Sequence, residues 1–297
     1  MPSHHIPAFV NLESGSGEAA REALDAAGVF DVAPCDPEQL DRQIRQAVHE
    51  GAERVVVAGG DGTIAKAAGV LVGQKTALAV VPGGTLNHFA KNHRIPSDQA
   101  KAAELSASGT TTTTDVATVN GRVFLNTSSV GAYVVFVRTR DRLERRFGYR
   151  IATVIAALRL LGRVQPFSIE VTLDGQPRRY RSALVFLGVG ERELQLPSLG
   201  ARADNGRSGL HVIVVRGGTW ARLVAAGLVA VFRGNEAIKR GRLADSHVVD
   251  ECRIEFQRRH GRVALDGEII ELSSPLSYRI ERDALRLVVP PPEARGD

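Results

Sequence analysis

The sequence predicts an α/β N-terminal half built on a parallel sheet, joined to a β-rich, mainly antiparallel, sandwich-like C-terminal half that carries helices. Three observations predict it. The first third alternates short apolar runs with helix-length segments, the pattern of parallel strands joined by right-handed crossovers. Beyond Thr110–Thr114 come many short β-like runs separated by Asn-Gly and Asp-Gly pairs, which signal hairpins. The charge changes sign at the same place. Residues 1–115 carry 9 Lys/Arg against 14 Asp/Glu, and residues 116–297 carry 29 against 19, so the net +5 is a −5 joined to a +10. The domains are therefore placed at 1–115 and 116–297, with the last strand free to return to the first domain.

The elements follow in order. Pro7–Val10 is a short apolar strand ending in the loop Asn11–Gly17, and Glu18–Ala27 is a helix stopped by Gly28. Val29–Ala33 is a second strand and Pro37–Glu50 a second helix. Arg54–Ala58 (RVVVA) is a buried strand, Gly59–Thr63 a glycine turn, and Ile64–Val72 a helix. Ala77–Val81 (ALAVV) is the next strand, followed by a glycine turn over Pro82–Asn87 and a helix from about His88. Strands are then expected at Asp115–Val119, Arg122–Asn126, Phe167–Leu173, Ser182–Gly188, Leu210–Val215, Arg253–Gln257, Arg262–Leu265 and Leu285–Val289. Helices at about Arg142–Leu161 and Thr219–Phe232 interrupt them.

With 43% hydrophobic and 24% charged residues, a largely disordered chain is excluded. Cys35 and Cys252 stand far apart without metal spacing, which fits a reducing compartment. The N-terminal MPSHHIPAFV does not read as a signal peptide. The longest apolar stretches, Ile151–Leu161 and Leu223–Phe232, fall short of the ~20 residues of a spanning helix. The chain is expected to be cytoplasmic, at most peripheral to a membrane. Of 38 cations 33 are Arg, which binds phosphate in a bidentate way. A GC-rich genome explains Arg over Lys but not why the excess lies in one half. A basic half suggests an anionic partner: nucleic acid, acidic lipid or a phosphorylated substrate.

The strongest local signal is Gly59-Gly60-Asp61-Gly62-Thr63 after RVVVA. Glycines at a strand's end let backbone N–H groups approach phosphates, and the next helix aims its positive end there. An Asp in such a place points to Mg²⁺ or to orientation of a nucleophile. The plain alternative is a tight turn with Asp61 capping a helix. Pro82-Gly83-Gly84-Thr85-Leu86-Asn87 repeats the arrangement after ALAVV, and Asn11, Ser14 and Gly15 form a third loop on the same sheet edge. Three such loops favour a nucleotide site over ordinary turn chemistry.

The loop Asn11–Gly15, "GGDGT" and "PGGTLNHFA" together resemble the diacylglycerol kinase catalytic domain family, which includes diacylglycerol, sphingosine and ceramide kinases and soluble bacterial lipid kinases. Phe124–Gly131 (FLNTSSVG) and Leu265-Asp266-Gly267-Glu268 resemble its downstream segments. The resemblance implies a Rossmann-like domain and a β-rich domain with the site between them. It also implies ATP-dependent transfer of the γ-phosphoryl group to a lipid hydroxyl, with Mg²⁺ on the phosphates. In that context Asp266 is favoured as general base, with Glu268 assisting or binding metal. Asp61 is the rival for the base role and a metal ligand with Glu268. Asp-Gly alone signals only a hairpin. The family's structural acidic pair is replaced here by Arg207 and Ser208, leaving Asp204 alone, so no second metal site is expected.

Arg138–Arg163 holds eight Arg against Asp141 and Glu144, with an apolar face at helical spacing. The bland reading is a core-facing helix with a solvated Arg face. The functional one is a basic amphipathic element resting on anionic headgroups. Partners are then a lipid substrate and a membrane surface, with a homodimer possible and nucleic acid disfavoured, since no docking motif or aromatic interleaving appears. The eight histidines show no metal spacing. The rival functions are a NAD kinase-like enzyme, whose family also uses GGDGT, and a nucleotide-binding regulator without catalysis.

Overall fold

The computed structural model describes residues 5–35, 38–131, 166–193, 202–203, 206–217 and 244–291, with single positions at 134, 139, 143 and 155. The helices expected at 142–161 and 219–232 lie almost wholly outside the described residues, as does Asp204. The chain divides into two compact units, residues 1–116 with 281–297, and residues 117–280. Both passages of the chain from one unit to the other occur within strands.

The first unit is β1 (Ile6–Val10), α1 (Gly17–Ala27), β2 (Phe30–Pro34), α2 (Leu40–His49), β3 (Arg54–Gly59), α3 (Asp61–Leu71), β4 (Ala77–Pro82), α4 (His88–Asn92), α5 (Gln99–Ser108) and most of β5 (Thr110–Val119). The strands pair in parallel in the order β2-β1-β3-β4, and Leu287 of the last strand pairs beside Leu78 of β4. Strands of such a sheet are covered on both faces and are therefore apolar throughout. In β3, Val56 and Ala58 pack toward Ala20 and Leu24 of α1 and Ala102 of α5. Val55 and Val57 are equally buried on the opposite side of the strand, where α2 packs against α3. Since β1 has β2 on one side and β3 on the other, the strand order reverses at β1 and β3. Ligands of open α/β sheets bind outside the C-terminal ends of the strands at that reversal.

The second unit holds the end of β5, β6 (Arg122–Phe124), β7 (Thr127–Gly131), β8 (Phe167–Leu173), β9 (Gln176–Val189), β10 (Leu210–Arg216), β11 (Ala244–Val249), β12 (Glu251–Phe256), β13 (His260–Leu265), β14 (Glu268–Ser273) and the first part of β15 (Leu276–Val289). Its pairings are antiparallel, running β14-β13-β7-β9-β8-β12-β15, with β10 between β9 and β11. One core, including Val171, Leu187, Leu210, Ile254 and Leu276, lies beneath it. Three predicted dipeptides make its hairpins. Asn120-Gly121, Asp174-Gly175 and Asp266-Gly267 all have positive φ at both positions, as a two-residue hairpin turn demands.

The structure departs from the expected elements at several points. Helix α3 starts at Asp61, not Ile64, because the extended Gly60 is already its N-cap. The helix expected from His88 is two helices, broken where Pro96 cannot continue it; α5 restarts with Asp98 accepting the Lys101 N–H at 2.9 Å. The Thr110–Thr114 run, beyond which strands are expected, is itself the first half of β5, in keeping with the β preference of threonine. β11 and β14 were not expected.

Candidate functional site

Three loops leave the C-terminal ends of β1, β3 and β4 and are tied together by their backbones. Asn11 N donates to Ala58 O at 2.9 Å, Gly83 N to Gly59 O at 2.8 Å, and Ser16 N to Gly83 O at 3.2 Å. Glycine permits the approach. A Cβ on Gly83 would lie 2.7 Å from Ser14 Oγ, and one on Gly84 would lie 2.8 Å from Gly60 Cα. The structure thus brings together every loop residue predicted for the nucleotide: Asn11, Ser14, Gly15, Gly59, Gly60, Asp61, Gly62, Thr63, Gly83, Gly84, Thr85 and Asn87.

Several of the polar side chains are committed to holding the loops. Asn11 Nδ2 donates to Thr63 Oγ1 at 3.1 Å, and Asn11 Oδ1 accepts from Glu13 N at 3.0 Å. Ser14 Oγ donates to Asn11 O at 2.7 Å. Asn87, in the left-handed region at φ 49°, accepts from Gly84 N at 2.9 Å and donates to Gly84 O at 2.7 Å, gripping one residue from both sides. Asp61 accepts from His88 N and Phe89 N, both at 3.1 Å, and so caps α4 across the gap between loops.

What remains open is mostly backbone. At the N-terminus of α3 no side chain caps the helix, and the amides of Asp61, Gly62 and Thr63 have no hydrogen-bond partner among the described residues. The exposed hydroxyl of Thr85 is also without a partner among them, as is that of Ser16, the N-cap of α1, which sequence reasoning passed over. No Lys or Arg stands in any of the three loops. Open first-turn amides and the helix dipole together make a place for an anion.

An ion such as Mg²⁺ takes oxygen donors and usually keeps several waters, meeting the protein through one or two carboxylates. No group of three or more His, Cys, Asp or Glu converges among the described residues. Asp61, with each oxygen accepting a single amide, fits an ion that arrives on phosphates and not one caged by protein.

The second unit holds the other predicted carboxylates. Asp266 Oδ2 accepts from Leu125 N at 2.7 Å, and Oδ1 from Asn126 N at 2.8 Å and Thr127 N at 2.9 Å. The side chain at the tip of one hairpin therefore clamps the turn between β6 and β7. Glu268, two residues on, is exposed and has no hydrogen bond or ion pair among the described residues. Behind the clamp lies Arg192, which sequence reasoning missed because its neighbours Glu191 and Glu193 read as surface. Its guanidinium is buried and donates to Asn126 O at 2.8 Å. Burial pushes it down to about 10, Asp266 opposing the shift, so it stays cationic at neutral pH. Arg192 N donates to Nδ1 of the buried His211 at 2.9 Å. That leaves Nε2 as the protonated nitrogen, donating to Ser246 Oγ at 2.8 Å.

Residues 5–119 match the diacylglycerol kinase catalytic domain family. The chain is 29% identical over 183 residues to a diacylglycerol kinase of Mycobacterium tuberculosis (strain CDC 1551 / Oshkosh), covering 57% of this chain and 59% of the relative. It is 27% identical over 185 residues to a diacylglycerol kinase of Staphylococcus aureus (strain JH9), covering 61% and 55%. The match thus spans a little over half the length of these relatives. A crystal structure of a diacylglycerol kinase from Bacillus anthracis str. Sterne superposes with a TM-score of 0.70 at 19% identity over 97% of each chain. An NAD kinase from Archaeoglobus fulgidus, solved in complex with ATP, superposes with a TM-score of 0.50 at 12% identity over 95% of this chain and 92% of that one. The two structures share the fold: parallel strands with helices, then a strand-rich antiparallel region.

Proposed function

We propose, for a chain whose residues 5–119 match the diacylglycerol kinase catalytic domain family, that it transfers the γ-phosphoryl group of ATP to a hydroxyl of a diacylglycerol-like lipid. The observation that carries this reading is the open first turn of α3, where three amides without a partner among the described residues face glycine loops that contain no Lys or Arg. Such a place holds phosphates by backbone dipoles, and Mg²⁺, when bound, neutralises phosphate charge. The acidic balance of residues 1–115 is then compatible with nucleotide binding, since no Lys or Arg of the loops is needed.

We assign the general base to Glu268 and not to Asp266. A base needs an unengaged lone pair aimed at the hydroxyl proton, and Glu268 is the carboxylate of the pair without partners. Asp266, held by three amides, is the residue that fixes the hairpin presenting it. The lipid and an anionic membrane surface are the partners this reading requires. A NAD kinase-like enzyme is the second reading, supported by the ATP-bound fold relative.

Two experiments test the proposal. Full-length protein given γ-labelled ATP, Mg²⁺ and a total lipid extract is expected to label lipid; label found only in NAD sinks the lipid reading, and nucleotide binding without transfer supports a regulator. Glu268→Gln is expected to lower kcat by on the order of 100-fold or more while the melting temperature stays unchanged, because the side chain is exposed. Unchanged kcat in this variant moves the base elsewhere.

A further inference from the structure

We infer that residues 257–262, the connection from β12 to β13 and the start of β13, form a surface that docks on the anionic headgroups of a lipid bilayer. The inference rests on the lipid-kinase reading for its choice of partner and on charge pairing for its position. Five of the eleven exposed arginines described in the second unit are answered by an acid, and a sixth, Arg178, bonds His247. Arg179 meets Glu170, Arg207 meets Glu191, Arg216 meets Asp245, Arg253 meets Glu255 and Arg279 meets Glu251. The stretch Gln257-Arg258-Arg259-His260-Gly261-Arg262 is different. Arg258, Arg259 and Arg262 are all exposed, and none of their side chains has an ion pair or hydrogen bond among the described residues. Arg122 and Arg181 are also without an ion pair among the described residues, but neither has a second such arginine within five positions in sequence. Arg262 stands opposite Glu271 in the β13–β14 ladder without forming a bridge to it.

The loop that carries these charges is anchored. Phe256 N donates to Ser274 Oγ at 3.2 Å, and Ser274 N donates to Arg259 O at 2.8 Å. Gly261 lies against the Phe256 ring so closely that a Cβ there would sit 2.4 Å from Cζ. Three guanidiniums held on a braced turn with no counter-ion among the described residues leave their charge to be met from outside. A bilayer surface with anionic lipid offers many phosphates to such a group at once, each capable of accepting paired N–H bonds. The turn presents no exposed Phe, Tyr or Trp, the larger rings on which bases stack, which disfavours single-stranded nucleic acid.

The test uses full-length protein and vesicles of phosphatidylcholine with or without phosphatidylglycerol, read by co-sedimentation at low and high salt. Wild type is expected to bind only the anionic vesicles and to be released by salt. At roughly five-fold per arginine, R258Q/R259Q/R262Q is expected to weaken binding on the order of 100-fold. The same loss of charge from helices of the first unit, R21Q/R42Q/R45Q, is expected to change it far less. Equal weakening by the two triple variants, undiminished binding of the loop variant, or tighter binding of wild type to duplex DNA than to vesicles overturns the proposal. Phosphorylation of a short-chain, water-soluble acceptor is measured on the same proteins. If wild type binds vesicles through the loop but phosphorylates no lipid, the kinase reading falls and the docking surface stands; if phosphorylation proceeds without loop-dependent binding, the reverse holds.

Discussion

Asp266→Ala is expected to lower the melting temperature of the second unit by about 10 °C and to remove transfer activity along with it. The carboxylate accepts three amide hydrogens at 2.7–2.9 Å from residues about 140 positions earlier in the chain. Removing it strands three partly buried N–H groups beside the buried Arg192. Each unmet donor costs about 1–3 kcal/mol before water partly fills the gap. A net loss of ~3–5 kcal/mol corresponds to a shift on the order of 10 °C for a domain of this size. Thermal melts followed by circular dichroism, alongside turnover, check it. A base would behave otherwise: Asp266→Asn would then abolish turnover with the melt barely moved. That outcome would return the proton-accepting role to Asp266.

Gly84→Ala should raise the Kd for ATP by about 100-fold with a smaller effect on folding. The new methyl group would stand 2.8 Å from Gly60 Cα and 3.0 Å from Asn87 Oδ1, backbone on one side and a gripping amide on the other. The loops after β3 and β4 must then part by on the order of an ångström, and misplacement of that size costs about 100-fold at a preorganised site. The overpacking itself costs about 1–3 kcal/mol. Gly15→Ala is the contrast, because its Cβ would meet Gly83 O at an ordinary 3.6 Å. Titration with a fluorescent ATP analogue separates the two. Equal affinities in Gly84→Ala and wild type would show that the convergence of the loops does not hold nucleotide.

Much of the fold was legible because its signals are local. RVVVA and ALAVV are short, apolar and bounded by glycine, and the two dipeptides Asn120-Gly121 and Asp174-Gly175 can hardly be anything but tight turns. The nucleotide loops were legible for the same reason. What each loop residue does was not. Whether Asn11 offers its amide to a ligand or spends it on Thr63 depends on a partner 52 positions away. Asp266 announces a hairpin and conceals a clamp, since nothing near it in sequence marks Leu125–Thr127 as its partners. Arg192 is harder still: a charged residue between two glutamates carries no local sign that strand pairing will bury it. β14 was missed because Ile269 and Ile270 are adjacent, which breaks the alternation of a half-buried strand.

The last strand of the first unit has a consequence for synthesis. Residues 281–297 belong to that unit, with Leu285, Leu287 and Val288 buried in it, while the rest of the unit ends at residue 116. A ribosome delivers β4 long before the strand that pairs beside it. Until residues 281–289 emerge, β4 has an unpaired edge and an unfilled apolar face, the state most open to wrong pairing. The second unit, contiguous from 117 to 280, can close on itself first. The nascent chain therefore completes this unit only after residues 117–280 have emerged, and loss of residues 281–289 damages the unit built mostly from residues 1–116.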